Sequence, residues 1–195
     1  MILLAAVIAG LTFGLIRAKV GNRPYRPFSM RWGWMVLVAL IIQWLAFGLP
    51  LTRAIYADEA ASISLVLSQF ILLIFAWFNR KIPGFWLLIT GLVLNLLVIS
   101  LNGGFMPISP ETTHWLRGDS ISAGWEVGER LGTGKDIVLP VEQTKLEFLS
   151  DRFRTPDNPY YRVAFSAGDV LIALGAFWLL WSVGGRSEGS LRKEV

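Results

Sequence analysis

Five apolar stretches punctuate the chain: Met1–Ile16, Trp32–Leu49, Ala60–Phe78, Ile82–Leu101 and Ala167–Val183. Each is close to the roughly 17 to 25 residues that an α-helix needs to cross the hydrocarbon core of a bilayer. One long polar excursion, Asn102–Ser166, separates the last two. The pattern predicts an all-α fold: a polytopic membrane bundle of five transmembrane helices in one domain, residues 1–195. Residues 102–166 form an extracytoplasmic lid inserted between spans four and five. Within that lid the sequence suggests a short helix near Ser120–Arg130 and an extended piece near Asp136–Pro140.

Polar side chains inside the stretches are informative, because each costs free energy in hydrocarbon unless it finds a partner. Gln43, Ser62, Ser64, Ser68, Asn95 and Asp169 gather toward the ends that meet the excursion, with Gln69 near mid-span. Gly91, Asn95, Val98 and Asn102 share one face of the fourth span. Two readings stay open: hydrogen bonds that join the helices, or a pocket roofed by the excursion.

Composition supports the membrane expectation. Hydrophobic residues make up 54% of the 195 and charged residues 16%, with mean hydropathy +0.54, too few charges to clothe a soluble core. Without cysteine, disulfides, thiolate nucleophiles and cysteine-held metals are excluded. A single histidine, His114, excludes multi-histidine zinc and bis-histidine haem. No metal or cofactor is expected.

Charge then orients the spans. Arg17, Lys19, Arg23, Arg26 and Arg31 fill the first connection, Arg80 and Lys81 the third, and Arg186, Arg192 and Lys193 the tail. Short loops rich in Lys and Arg stay in the cytoplasm, so the N-terminus, the connection holding Arg53 and the excursion face outward. Trp32, Trp34, Trp77, Trp86, Trp178 and Trp181 fall toward the same inner ends, as an interfacial belt does. The basic first connection suits anionic lipid and not nucleic acid. In the first span, Ala6, Gly10, Gly14 and Ala18 form a small-residue stripe for close packing, within the bundle or on a partner subunit.

Both flanks of the excursion carry readable chemistry. Asn102-Gly103-Gly104 supplies a helix end tolerant of positive φ, and Pro107 blocks its resumption. Ser166 and Asp169 have the spacing of a capping box. The same residues can also rim a site: Asn95, Asn102, Gly103, Gly104, Met106, Ser109, Ser166, Gly168 and Asp169 are the ligand-binding candidates. Asp169, His114 and Lys145 are the catalytic candidates, with Asp169 as acid or base.

These motifs carry a resemblance. N-G-G-x-M-P at Asn102–Pro107, T-K-L-x-x-L-x-D at Thr144–Asp151 and F-S-x-G-D-x-L-I-x-x-G at Phe165–Gly175 resemble an uncharacterised family of five-span prokaryotic membrane proteins. The resemblance implies the fold and a plasma-membrane location, and implies no activity. A looser likeness ties Asp169 to the lipoprotein signal peptidases. Those need a second aspartate within a span, and none is present here.

Two other motifs fail on their chemistry. Leu131-Gly-Thr-Gly-Lys-Asp136 lacks the first glycine and the hydroxyl of a P-loop and reads as a turn. Ser109, His114 and Asp151 offer the residue types of a nucleophilic triad without any spacing that links them. The expectation is a non-enzymatic binding or accessory subunit embedded in the lipid bilayer. It would hold a lipid, a quinone or a membrane-protein partner, with no nucleic acid. The alternative is an enzyme acting on a lipid-linked substrate at the outer face.

Overall fold

The computed structural model describes residues 2–48, 58–117, 125–156, 158 and 161–185. The second connection with Arg53 and the tail with Arg186, Arg192 and Lys193 lie outside the described residues. Helices dominate: α1 (Ile2–Val20), α2 (Trp34–Gln43, continued by a π-helical turn at Trp44–Gly48), α3 (Asp58–Phe78), α4 (Phe85–Leu101), α5 (Pro110–Arg117) and α6 (Ala167–Val183). Among the described residues, α1 and α3 are the helices long and apolar enough to span a membrane by length and composition; Trp34–Gly48, α4 and α6 are shorter apolar helices. The apolar runs overstate two of these elements. Trp32 sits in a turn at φ 58°, and Gly84, at φ 87°, caps α4, which starts at Phe85, three residues after Ile82.

Helix contacts run in the order α1–α6–α4–α3–α2. Glycines decide the tightest of them. Gly168 of α6 lies on the Gly91 carbonyl and the Asn95 side chain of α4, and Gly175 lies on the Gly84 carbonyl. The stripe on α1 is used within the molecule: Gly10 rests on Phe177 and Gly14 on the Leu180 carbonyl of α6. One core cluster, Met35, Phe75, Ala76, Phe85, Ile89 and Leu92, fills the end remote from the excursion.

The excursion folds into a cap on the other end. Its spine is β1 (Met106–Ile108), paired in parallel with β2 (Asp136–Val138), while β3 (Phe153–Arg154) pairs antiparallel with β4 (Ala164–Phe165). Met106 and Leu149 of the cap share a core cluster with Leu65, Val98 and Ile99 of the bundle. The helix expected near Ser120–Arg130 is not found in its described part. Residues 125–130 form a turn, from which Gly128 and Glu129 bond to Val138; residues 120–124 lie outside the described set. The short helix of the cap is α5 instead, capped by the Ser109 hydroxyl on the Thr112 amide. The extended piece at Asp136–Pro140 corresponds to β2.

Candidate functional site

Backbone pairing around β1 builds the site. The Met106 amide donates to the Lys135 carbonyl on one side of the strand, and the Asp151 amide donates to the Pro107 carbonyl on the other. Two residues 16 apart in sequence are thereby set facing each other, and Lys135 Nζ donates to Asp151 Oδ2 at 3.1 Å. Asp136 Oδ1 lies 3.3 Å from the same ammonium. Asn102 locks this arrangement to α4. Its amide nitrogen donates to the Val98 and Lys145 carbonyls, and its oxygen accepts from the Lys145 amide.

A second network lies where α6 begins. The Ser166 hydroxyl accepts from the Asp169 amide and the Ser166 amide donates to Asp169 Oδ2, a complete capping box. Asn95 extends it across the helix interface: its amide donates to Asp169 Oδ1 at 2.9 Å, and its oxygen accepts from the Ser166 hydroxyl at 3.0 Å. Both oxygens of Asp169 are therefore engaged.

The electrostatics join the two networks. Burial pushes the Asp151 carboxyl up to about 7; Asp136 and Asp169 add to the shift, and Lys135 opposes it. Burial works against the Lys135 charge, but Asp136, Asp151 and Asp169 together outweigh it and hold the amine above its ordinary value. The ammonium sits among the carboxylates where a metal cation would otherwise be attracted. Asp151 Oδ1 is buried and has no hydrogen-bond donor among the described residues. Part of Lys135 faces a cavity of about 300 Å³ whose other walls are Gln43, Trp44, Phe47, Gly48 and Leu65.

The structure distributes the sequence candidates unevenly. Asn95, Ser166, Gly168 and Asp169 meet at the α4–α6 crossing. Asn102 and Met106 hold the cap, while Gly103 and Gly104 border a separate apolar groove of about 470 Å³ between α3 and α4. Ser109 caps α5, and His114, exposed, stacks edge-on against Trp125 at 5.0 Å. Lys145 contributes its backbone, and its side chain is exposed. Ser109, His114 and Asp151 have separate partners and form no triad. Gln43 and Ser68 join α2 to α3 at 2.9 Å, whereas Ser62 and Ser64 bond carbonyls of their own helix.

A family model, described as a family of unknown function (DUF5317), matches residues 27–181. The chain belongs to that family. No curated protein and no solved structure matches it. All residues of both networks fall inside the DUF5317 segment, and α1 falls outside it. Sequence reasoning missed Lys135, Asp136 and Arg130 as members of a built structure. Arg130 is buried under the turn that resembles a P-loop, donating to the Thr133 and Gly134 carbonyls and to Asp58. Those carbonyls point at a cation, so the turn is no phosphate cradle. Its one sequence signal is a lone arginine beside a glycine-rich turn.

Proposed function

We propose that this DUF5317 protein is an integral protein of a prokaryotic plasma membrane, crossing five times. Its N-terminus and cap lie outside and its C-terminus in the cytoplasm. Its role in this reading is to bind a lipid-soluble molecule beside Lys135, as a binding or accessory subunit and not as an enzyme. Several features support the membrane placement. Ile8, Leu37, Ile63, Leu97 and Leu174, one from each long helix, are exposed, an apolar surface that water does not tolerate over such an area. At the end remote from the cap, Arg17 lies over the Trp181 ring at 4.2 Å and Arg80 over Trp77 at 4.7 Å, the pairing of an interfacial belt with basic loops. At 17 residues each, α4 and α6 sit at the short limit for a span.

The observation that carries the binding role is Lys135. A cationic side chain fixed in the cap lines a cavity whose remaining walls come from α2, its π-turn and α3. The enzymatic alternative has support in Asp151, whose proton leaves near neutral pH, and little in Asp169, whose oxygens are both occupied.

The absence of cysteine gives a direct test. Single Lys145→Cys and Lys81→Cys variants are treated in intact cells with a membrane-impermeant maleimide. Lys145→Cys labels at once and Lys81→Cys only after permeabilisation; the reverse order overturns the topology. Native mass spectrometry from mild detergent then finds an amphiphile retained on the protein. Its consistent absence overturns the binding role.

A further inference from the structure

Resting on that reading, we infer that the cavity beside Lys135 takes a flat, neutral head group bearing carbonyl acceptors, of the tailed-quinone class, in preference to an anionic lipid head. Charge decides first. Lys135 is the cation nearest the cavity, yet Asp136, Asp151 and Asp169 all act on it. An approaching phosphate meets an ammonium already paired with Asp136 and Asp151, so the attraction that ordinarily draws anions to lysine is offset here. A cationic head meets the ammonium itself at the cavity wall. A neutral acceptor meets neither penalty.

Donor geometry agrees. An ammonium has three N–H groups. One donates to Asp151 Oδ2, and a second direction is taken by the charge contact with Asp136 Oδ1. The Lys135 side chain nevertheless keeps 42% of its surface exposed, and the cavity is the space it borders. Donor capacity on that side suits a carbonyl oxygen. A donor at an ionised group makes one of the stronger neutral-ligand hydrogen bonds.

The walls select shape. Trp44 and Phe47 supply two aromatic rings, and Phe47 is fixed by the Arg130 guanidinium at 4.9 Å. Gly48 is needed for this arrangement, since a Cβ there would lie 2.6 Å from the Trp44 indole. Both belong to the π-helical turn that widens the end of α2, a local form frequent at functional sites. Aromatic walls favour a planar conjugated head over the ester of a glyceride. A tail leaving the cavity meets the exposed apolar surface of α2 at Leu40 and Ile41.

The test uses full-length protein in mild detergent and reads its thermal midpoint during titration. Three probes are compared: a benzoquinone with a decyl tail, a short-chain diacylglycerol and a short-chain phosphatidylglycerol. The benzoquinone gives a saturable rise in midpoint, and the other two give rises that do not saturate over the same range. In Lys135→Met/Asp136→Asn, which removes one charge of each sign, its affinity falls about tenfold to hundredfold, the effect of losing one donor at a charged group. Trp44→Ala, at an exposed position, lowers affinity while leaving the unliganded midpoint near wild type, and so serves if the double variant does not fold. Saturable binding of phosphatidylglycerol that depends on Lys135, or benzoquinone binding unchanged in both variants, overturns the inference. Saturable binding of diacylglycerol alone overturns this inference and leaves the binding role standing. Failure of every probe, with no amphiphile retained on purification, overturns both.

Discussion

Among the carboxylates facing Lys135, Asp151 is the most withdrawn from water, its side chain 5% exposed against 23% for Asp136. Its pKa rises from 3.8 to about 7 on folding. Between those values the folded chain holds a proton that the unfolded chain has released. The stabilisation is full below pH 4 and is lost as pH rises through about 7, at a slope of up to about 1.4 kcal/mol per pH unit. The facing groups are Lys135, its neighbour Asp136 at the start of β2, and Asp169 from α6. Asp151→Asn removes the proton, so its midpoint in detergent should stay nearly level from pH 5 to pH 8 while that of wild type falls. Parallel curves would mean that Asp151 is ionised throughout. Asp151 was legible as part of a motif, but its partner was not. Lys135 lies in a run that reads as a plain turn, and only the pairing of both flanks with Met106–Pro107 brings the two together.

Elements were legible where their signals are local. The capping box of α6 needs only Ser166 and Asp169, and the structure holds both of its hydrogen bonds. The α5 helix has comparable signals, a capping serine, Pro110 at the first position and Glu111 in the first turn. Pro107 reads as a block to α4 resuming, and that reading hid the helix that follows. Contact between elements is another matter, because helices apolar on every side do not announce which face packs. Glycines make that choice here. The α4–α6 crossing closes on Gly168, where an added Cβ would meet Asn95 and the Gly91 carbonyl. Gly168→Ala should therefore cost about 1–3 kcal/mol, the usual cost of overpacking, and should break the Asn95–Asp169 bond. Thermal melts and the helicity of the purified variant check this. An unchanged midpoint would show that the two helices have room to part.

At the scale of the molecule, the alternation of apolar and polar segments anticipated a mostly helical fold with one large insertion, because hydropathy reports burial or lipid contact directly. It was silent on how firmly the insertion is attached. A lid that opens would keep its apolar residues to itself, whereas this cap places Met106 and Leu149 in the same cluster as Leu65, Val98 and Ile99. Asn102 adds two hydrogen bonds across the seam, both to the Lys145 backbone. Opening the cap therefore exposes bundle core and strands a buried asparagine, so the two parts should open together. Hydrogen exchange in detergent distinguishes the cases by amide. The Met106 and Asp151 amides, bonded to Lys135 and Pro107 at the base of the cap beside the shared cluster, should exchange at the slow rate of Ile99 in α4. The Gln143 amide, in the exposed 3₁₀ turn Val141–Gln143, should exchange on the order of a hundredfold faster. If Met106 exchanged with Gln143 instead, the cap would be an independent unit. Access to the Lys135 cavity would then run through its opening and not sideways between α2 and α3.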